Sequence, residues 1–153
     1  MLTIWIDADA CPRAVKELVF RAALRLQVPA VLVANRALAV PRAPLIKAVA
    51  VGGGVDEADR YLVAHSAPGD LVVTADIPLA SLLVDKGVVA LDPRGTVYRA
   101  ANVKEALATR NLMQELREQG VLEGGPAPLG RTDAAAFANA LDRELTRLRR
   151  QGG

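Results

Sequence analysis

The chain has 153 residues, of which 52% are hydrophobic and 3% aromatic, and its formal net charge is +2 at pH 7. This length favours one compact domain, and the single cysteine excludes an internal disulfide framework and a multi-cysteine zinc site. The charge balance excludes a chain that is strongly basic overall, and no uncharged apolar run reaches the ~18 residues that a membrane span needs.

The first ninety residues alternate between patterns typical of strands and of helices. Strands are predicted at 2–6, 30–34, 46–51, 71–74 and 88–91. Helices are predicted at about 12–27, 56–65 and 78–86. This alternation predicts an α/β three-layer sandwich, in which a mostly parallel five-stranded sheet has right-handed crossovers and helices on both faces.

The rest of the chain is predicted to be mainly helical. A turn at 92–95 leads into a short extended piece at 96–99 and a helix at about 103–119. The segment 120–131 holds four glycines and two prolines, which favours a mobile loop. A final helix is predicted at about 133–150, so residues 1–153 form one domain whose glycine- and proline-rich loop leads to a C-terminal helix.

The sequence does not begin with a basic segment that leads into an apolar stretch, so we expect no signal peptide. One cysteine suits a reducing compartment, and we expect a cytoplasmic protein without a membrane partner. The sequence leaves a homo-oligomer open as the state of assembly.

Acidic residues follow closely behind four of the predicted strands. Because ligands of open α/β sheets bind at the carboxyl edge of the strands, we expect these side chains to meet there. They are Asp7, Asp9, Asp56, Asp59, Asp76 and Asp92.

Two pairs among these residues have spacings that favour a shared direction. Asp7 and Asp9 are two residues apart, so they point the same way if the strand geometry persists. Asp56 and Asp59 are three residues apart and share one face of the predicted helix.

Such a cluster needs protons or a cation. Two carboxylates about 4 Å apart repel each other by ~4 kcal/mol at an effective dielectric constant of about 20. The hard ions Mg²⁺ and Mn²⁺ prefer oxygen ligands and bind phosphoryl groups. The sequence therefore predicts a divalent-metal site that handles phosphate, in which Thr74 hydrogen-bonds a carboxylate or the nucleophilic water.

Helix capping is the alternative explanation of the same aspartates, since aspartate is favoured at helix N-caps. Asp56 and Asp76 are the most open to this explanation, and Asp7 is the least open because it lies at the tip of a strand. Asp92 also fits an ordinary turn, because Asp-Pro-Arg-Gly is a good turn sequence.

Four motifs, together with the tail at 131–143, closely resemble the YaiI/YqxD family of uncharacterised bacterial proteins. They lie at 4–12 (IWIDADACP), 56–59 (DEAD), 70–80 (DLVVTADIPLA) and 92–95 (DPRG). That family is similar in pattern to PIN-like nuclease domains, including their NYN relatives. The resemblance implies a PIN-like sheet of order 3-2-1-4-5 and a Mg²⁺- or Mn²⁺-dependent phosphodiesterase that acts on RNA.

The resemblance also implies roles for individual residues. The acidic positions of PIN domains fall on Asp7, on Asp56 or Asp59, and on Asp76, with Asp9 and Asp92 as accessories. The paired spacing of Asp56 and Asp59 departs from the PIN pattern, so which of the two is the metal ligand stays open. We expect Asp7, Asp59 and Asp76 to hold the metal and Asp9 or Asp56 to orient water or a second ion, with Thr74 in support.

Arginines supply candidate contacts to an RNA or another nucleic acid. Four of them lie on or after loops or on a late helix, namely Arg36, Arg94, Arg110 and Arg131. Others crowd the last dozen residues, namely Arg143, Arg147, Arg149 and Arg150. The alternative in each case is an ordinary solvated arginine.

Two other functions stay open. The first is a non-catalytic, metal-dependent module that binds nucleic acid or nucleotides at the same pocket. The second is a phosphatase, since Asp7-x-Asp9 resembles the haloacid-dehalogenase motif, in which the first aspartate is the nucleophile. Against the phosphatase, Cys11 stands where that family prefers Thr or Val, and no Asp pair follows Lys86 or Lys104.

Three further features favour structural roles. Cys11 lies near a helix N-terminus, where a thiol can become a nucleophile, but a buried thiol is the expected state. The glycines at 52–54 lack the sequel of a phosphate-binding loop and predict a turn. Trp5 lies within a strand and is expected in the core.

Overall fold

The computed structural model describes residues 2–125 and 128–152. Within them the strands form one sheet of order β3-β2-β1-β4-β5-β6. The strands are β1 (Ile4–Asp7), β2 (Ala30–Ala34), β3 (Ile46–Ala50), β4 (Leu71–Val73), β5 (Val89–Leu91) and β6 (Val97–Tyr98). Strands β1 to β5 are parallel, which confirms the predicted order 3-2-1-4-5, and β6 adds an antiparallel edge formed by the predicted extended piece.

Helices cover both faces of the sheet, as predicted. They are α1 (Arg13–Leu26), α2 (Glu57–His65), α3 (Ile77–Asp85), α4 (Val103–Glu118) and α5 (Arg131–Gly152). Helices α1 and α5 pack on the face that presents Ile4 and Ile6, whereas α2, α3 and the start of α4 pack on the face that presents Trp5 and Val72. This division follows from the alternation of side chains along β1, whose successive residues point to opposite faces. None of these described helices is long and apolar enough to cross a membrane.

Trp5 belongs to the core, as the sequence predicted. Its side chain is buried, and its ring nitrogen donates a hydrogen bond of 3.0 Å to Oδ2 of Asp70. Asp70 also accepts from the backbone amides of Thr3 and Ala67. This buried aspartate therefore fastens the amino ends of β1 and β4 to each other, at the edge of the sheet opposite the acidic motifs.

The strand order reverses its direction at β1. From β1 the chain proceeds outward to β2 and β3, and then returns to place β4 on the other side of β1. The carboxyl ends of β1 and β4 are thus the switch point of the sheet, where open α/β folds bind their ligands. Ile6 pairs with Val73, so the segments that follow β1 and β4 leave the sheet side by side.

The strand geometry does not persist from Asp7 to Asp9, which was the condition for a shared direction of their side chains along a strand. Strand β1 ends at Asp7, and Ala8–Ala10 forms a turn of 3-10 helix. The reason is the short connection to α1, whose helical residues begin after Pro12.

The predicted loop at 120–131 is described except for residues 126 and 127, which lie outside the described residues. Its first part folds back on α4, since the amide of Val121 donates to the carbonyl of Leu116 over 2.8 Å. Nε of Arg117 also donates to the carbonyl of Gly124 over 2.9 Å. The end of α4 and the beginning of this segment are therefore hydrogen-bonded to each other.

The turn at 92–95 lies directly beneath α5. Gly95 has a φ of +96°, and a β-carbon at this position would stand 2.8 Å from the backbone carbonyl of Ala136. Only glycine satisfies both the left-handed backbone and this close approach. Helix α5 can therefore lie this close to the turn only because residue 95 is a glycine.

Candidate functional site

A cavity of about 220 Å³ opens at the carboxyl edge of the sheet, and its lining is mainly acidic. The acidic residues come from the segments after β1, β3 and β4 and from the start of α2. They are Asp7, Asp9, Asp56, Glu57, Asp59 and Asp76. We call this the acidic cavity. It brings together the predicted site residues apart from Asp92 and the arginines, with Thr74 just beneath it.

Asp7 is the most deeply buried member, with 4% of its surface exposed. The hydroxyl of Thr74, itself fully buried, donates to Oδ2 of Asp7 over 2.8 Å and accepts from the amide of Asp76 over 3.0 Å. Burial raises the pKa of Asp7, the bond from Thr74 opposes this rise, and the charges of Asp76 and Asp9 add to it. Thr74 thus links the ends of β1 and β4 and fixes the rotation of the Asp7 carboxylate.

Asp59 faces Asp7 and Asp76 from the first turn of α2. Its pKa is raised from 3.8 to about 6, first by burial and then by the negative charges of Asp76, Asp7 and Asp56. Because a charge raises a neighbouring pKa only at short range, these residues, distant in sequence, interact electrostatically. Asp56 is exposed and also lines the cavity, so both residues remain candidates for a metal ligand.

Asp76 both caps helix α3 and lines the acidic cavity. Oδ1 of Asp76 accepts from the amide of Leu79 over 3.1 Å, so the capping alternative is correct for this residue. The same carboxylate lines the acidic cavity and raises the pKa of Asp59. Asp56 occupies the N-cap position of α2 with a left-handed φ of 62°, but its side chain makes no capping hydrogen bond.

Asp9 is placed by a contact that crosses to the neighbouring strand. Its Oδ2 accepts from the backbone amide of Asn35 over 3.1 Å, and both residues line the cavity. Asn35 and Glu57 line the cavity although the acidic pattern did not predict them as site residues. Asn35 could have been found by the same rule as the aspartates, since it directly follows β2 at the same edge of the sheet.

Asp92 lies apart from the acidic cavity. Its Oδ1 accepts from the amide of Arg94 over 2.7 Å, and its Oδ2 lies 3.5 Å from the hydroxyl of Tyr98. Burial raises the pKa of Asp92, and the amide and charge of Arg94 oppose the rise. The bond to the amide of Arg94 shows that Asp92 stabilises the turn at 92–95, as the turn explanation holds. Asp92 also lines an adjoining cavity of about 700 Å³ that Asp9 and Cys11 line.

The candidate arginines occupy different surroundings. Arg110 lines a depression of about 590 Å³ that Asp59 and Asp76 also line, so it stands at the margin of the acidic residues. Arg94 pairs with Asp133 over 3.0 Å. Arg36 and Arg131 are exposed, and neither belongs to the lining of the acidic cavity.

The arginines near the end of the chain surround one buried acid. Glu144 is 1% exposed and accepts from Arg99 at 2.7 Å and from Arg147 at 2.9 Å, with Arg143 4.0 Å away. Part of this cluster therefore holds α5 against the segment between β6 and α4.

The features assigned to structural roles have them. Burial raises the pKa of the Cys11 thiol to about 12, so it is protonated at neutral pH and a poor nucleophile. The glycines at 52–54 form the turn before α2, and Gly54 borders the acidic cavity. In addition to these features, His65 is the last residue of α2, and its ring stacks on Tyr61 with 3.9 Å between the ring centres.

The oxygen donors of the acidic cavity fit a hard divalent cation, but they are not already arranged around one point. Among residues 2–125 and 128–152, no three His, Cys, Asp or Glu side chains are arranged as a ready-made set of metal ligands. The cavity nevertheless offers carboxylate oxygens from several segments, and the pKa values of Asp7 and Asp59 are raised first by burial and further by their acidic neighbours. A cation among these groups would remove the repulsion, and oxygen donors select Mg²⁺ or Mn²⁺.

Comparison with known proteins finds one family model and full-length relatives of uncharacterised function. The model of a family described as "Uncharacterized BCR, YaiI/YqxD family" matches residues 5–147. The chain is 56% identical to a UPF0178 protein of Myxococcus xanthus, over 96% of both chains. It is also 56% identical to UPF0178 proteins of Geobacter sulfurreducens and Pseudomonas fluorescens, over 98% of this chain and 100% and 99% of the relatives. The similarity to PIN-like domains stays a prediction.

Proposed function

The chain belongs to the YaiI/YqxD family, and from its site we propose that it is a Mg²⁺- or Mn²⁺-dependent phosphodiesterase that acts on RNA. The observation that supports this most is the acidic cavity at the switch point of the sheet, where the buried Asp7 interacts with Asp76 and Asp9. Carboxylates kept together against their repulsion are typical of a site that binds a cation.

Asp7, Asp59 and Asp76 would hold the metal in this proposal, and Asp9 or Asp56 would orient water or a second ion. The ion supplies a Lewis acid for a phosphoryl oxygen and lowers the pKa of water. The chain's own part is to hold the carboxylates in place. Thr74 and the amide of Asn35 do this for Asp7 and Asp9 by hydrogen bonds of 2.8 and 3.1 Å.

Proton uptake by Asp59 gives the proposed site a pH dependence. With a pKa of about 6, part of Asp59 is protonated near neutral pH when no cation is bound. Metal binding requires the carboxylate form, so it releases this proton. We therefore expect the affinity for Mn²⁺ to rise between pH 5 and pH 7.

A binding module without turnover is the second candidate. It is favoured by one observation, that Arg110 lies beside the acidic residues, where it would hold a phosphate without any bond being cleaved. The phosphatase alternative has less support, because Cys11 stands where that family prefers Thr or Val and no lysine lines the acidic cavity.

Three substrates, each with Mn²⁺, separate these functions: single-stranded RNA, free nucleotides and a generic phosphomonoester. We expect cleavage of the RNA and loss of this cleavage in Asp7→Asn. The matched control is Asp85→Asn, which removes an exposed charge at the other end of α3 from Asp76. Binding without cleavage would replace the proposal by the binding module, and hydrolysis of the monoester alone would replace it by the phosphatase.

A further inference from the structure

A second depression runs between α4 and the sheet edge beside the acidic cavity. It has a volume of about 590 Å³, and we call it the α4 groove. Its apolar lining includes Ile77, Tyr98, Ala106 and Met113, while its cationic lining consists of Arg110 and Arg117. Met113 is a large apolar side chain left 38% exposed, so the groove offers apolar surface to solvent.

The α4 groove is continuous with the proposed site. Arg110 lines both the groove and the depression that Asp59 and Asp76 line. Ile77, on the groove floor, directly follows Asp76 in the chain. A molecule lying in the groove therefore extends toward the acidic cavity past Arg110.

The charges of the groove favour an anionic occupant. Arg110 and Arg117 are seven residues apart on α4, so they lie on one side of the helix about 10 Å from each other. The bond from Nε of Arg117 to the carbonyl of Gly124 holds this guanidinium at the rim. Guanidinium groups bind phosphate oxygens with good geometry.

The remaining lining suits a nucleobase. Met113, which is 38% exposed, provides polarisable surface of the kind that contacts the face of an aromatic ring, and the half-buried Ile77 adds apolar surface beside it. Glu105 and Thr109 also line the groove, and they offer acceptors to the exocyclic amine of a base. A base in a duplex is stacked between its neighbours and its edge is paired, so only an unpaired base could make these contacts with its face and its exocyclic amine at the same time.

We propose that the α4 groove binds one unpaired nucleotide, with its base against Met113 and Ile77 and its phosphate on Arg110. This subsite rests on the proposed function, since it would place the neighbouring phosphate of the strand at the acidic cavity. The enzyme would then select single strands by the base that lies in the groove.

The test measures binding without metal or turnover. The full chain in EDTA is titrated with AMP, ribose 5-phosphate and inorganic phosphate, and amide chemical shifts are followed by NMR. We expect AMP to bind roughly tenfold more tightly than ribose 5-phosphate, because base stacking adds to the contact with the phosphate. The shifts should concentrate on the residues that line the α4 groove.

Two variants have matched controls on the same helix. Met113→Glu should weaken AMP binding by about tenfold or more, whereas Leu112→Glu should not, because Leu112 is exposed but does not line the groove. Arg110→Ala should weaken AMP and ribose 5-phosphate alike, whereas Lys104→Ala should weaken neither. Leu112 and Lys104 also control for folding, since both are exposed positions of α4.

Three results would overturn the subsite: equal affinity for AMP and ribose 5-phosphate, shifts outside the groove, or equal effects of Met113→Glu and Leu112→Glu. Its failure is distinguishable from failure of the proposed function. If RNA is cleaved with Mn²⁺ but AMP does not bind in the groove, only the subsite is wrong. If AMP binds as expected and RNA is never cleaved, the nucleotide site stands and the phosphodiesterase is wrong.

Discussion

Replacement of Asp59 by asparagine should stabilise the metal-free protein at high pH. The pKa of Asp59 rises from 3.8 to about 6 on folding. A pKa difference of about two corresponds to ~3 kcal/mol of stability lost when Asp59 ionises. We expect about 1–2 kcal/mol, because Asp59 is only half-buried and solvent screens its charge. Between these pKa values the folded state binds the proton more tightly than the unfolded state does. The free energy of unfolding therefore falls as the pH rises from about 4 to 6.

The assay is urea denaturation in EDTA at several pH values between 4 and 8. Above pH 7, Asp59→Asn should unfold with a free energy about 1–2 kcal/mol higher than the wild type, because the amide buries no charge and is not repelled by Asp76 and Asp7. The difference should shrink toward pH 4, where the wild-type carboxyl is protonated in the folded state. Asp85→Asn, at an exposed position, should not show this dependence on pH.

Addition of Mn²⁺ should reverse the order of the two proteins. At a free concentration of about 100 times the dissociation constant, an ion bound only by the folded state adds ~2.7 kcal/mol to the stability of the wild type. Asp59→Asn should gain much less. A variant no more stable than the wild type at pH 8 in EDTA, or a difference that is the same at every pH, would show that the Asp59 carboxylate is not destabilised by its surroundings.

Three further substitutions test the packing and the caps. Gly95→Ala should cost about 2 kcal/mol or more in urea denaturation, because its β-carbon would stand 2.8 Å from the carbonyl of Ala136; unchanged stability would contradict the close approach of α5. Glu144→Gln should cost about 1–3 kcal/mol, since it weakens a buried pair with the 43% exposed Arg99; a melting temperature equal to that of the wild type would show that the pair is dispensable. Asp76→Ala should be less stable than Asp76→Asn by about 0.5–2 kcal/mol at pH 8 in EDTA, because asparagine still caps α3; equal thermal melting of the two variants would argue against the cap.

The parallel core of the fold was predictable because its signals are local. Apolar runs at 2–6 and 71–74 are the length of buried strands, and the helical spacing between them requires crossovers. The 3-10 turn at Ala8–Ala10 was not predictable in the same way, because apolar periodicity does not show where β1 leaves the sheet. The pairing of β6 with β5 depends on the turn at 92–95 and on the covering helix α5, and both are tertiary features.

The candidate site shows the same division. The rule that ligands bind at strand ends placed Asp7, Asp59 and Asp76 together, since it depends only on the topology. The separation of Asp92 from the acidic cavity follows from its bonds to Arg94 and Tyr98, which the order of residues does not encode directly.

Contacts between distant segments set the finer geometry of the site. Asp9 is fixed by the amide of Asn35, 26 positions further along the chain, and Asp7 by the hydroxyl of Thr74, 67 positions further. Neither contact can be predicted from the spacing of the acidic residues. The sequence also could not separate the two roles of Asp76. An N-cap of α3 and a carboxylate of the cavity are both expected at this position after β4.

The most direct test is a crystal structure of the wild type grown with Mn²⁺, in which anomalous scattering locates the ion. We expect a single strong peak or a close pair in the acidic cavity, about 2.0–2.3 Å from carboxylate oxygens of Asp7 and of Asp59 or Asp76. A saturating concentration of Mn²⁺ that leaves this cavity without a peak, or an ion bound only elsewhere on the chain, would contradict the shared cation and with it the phosphodiesterase.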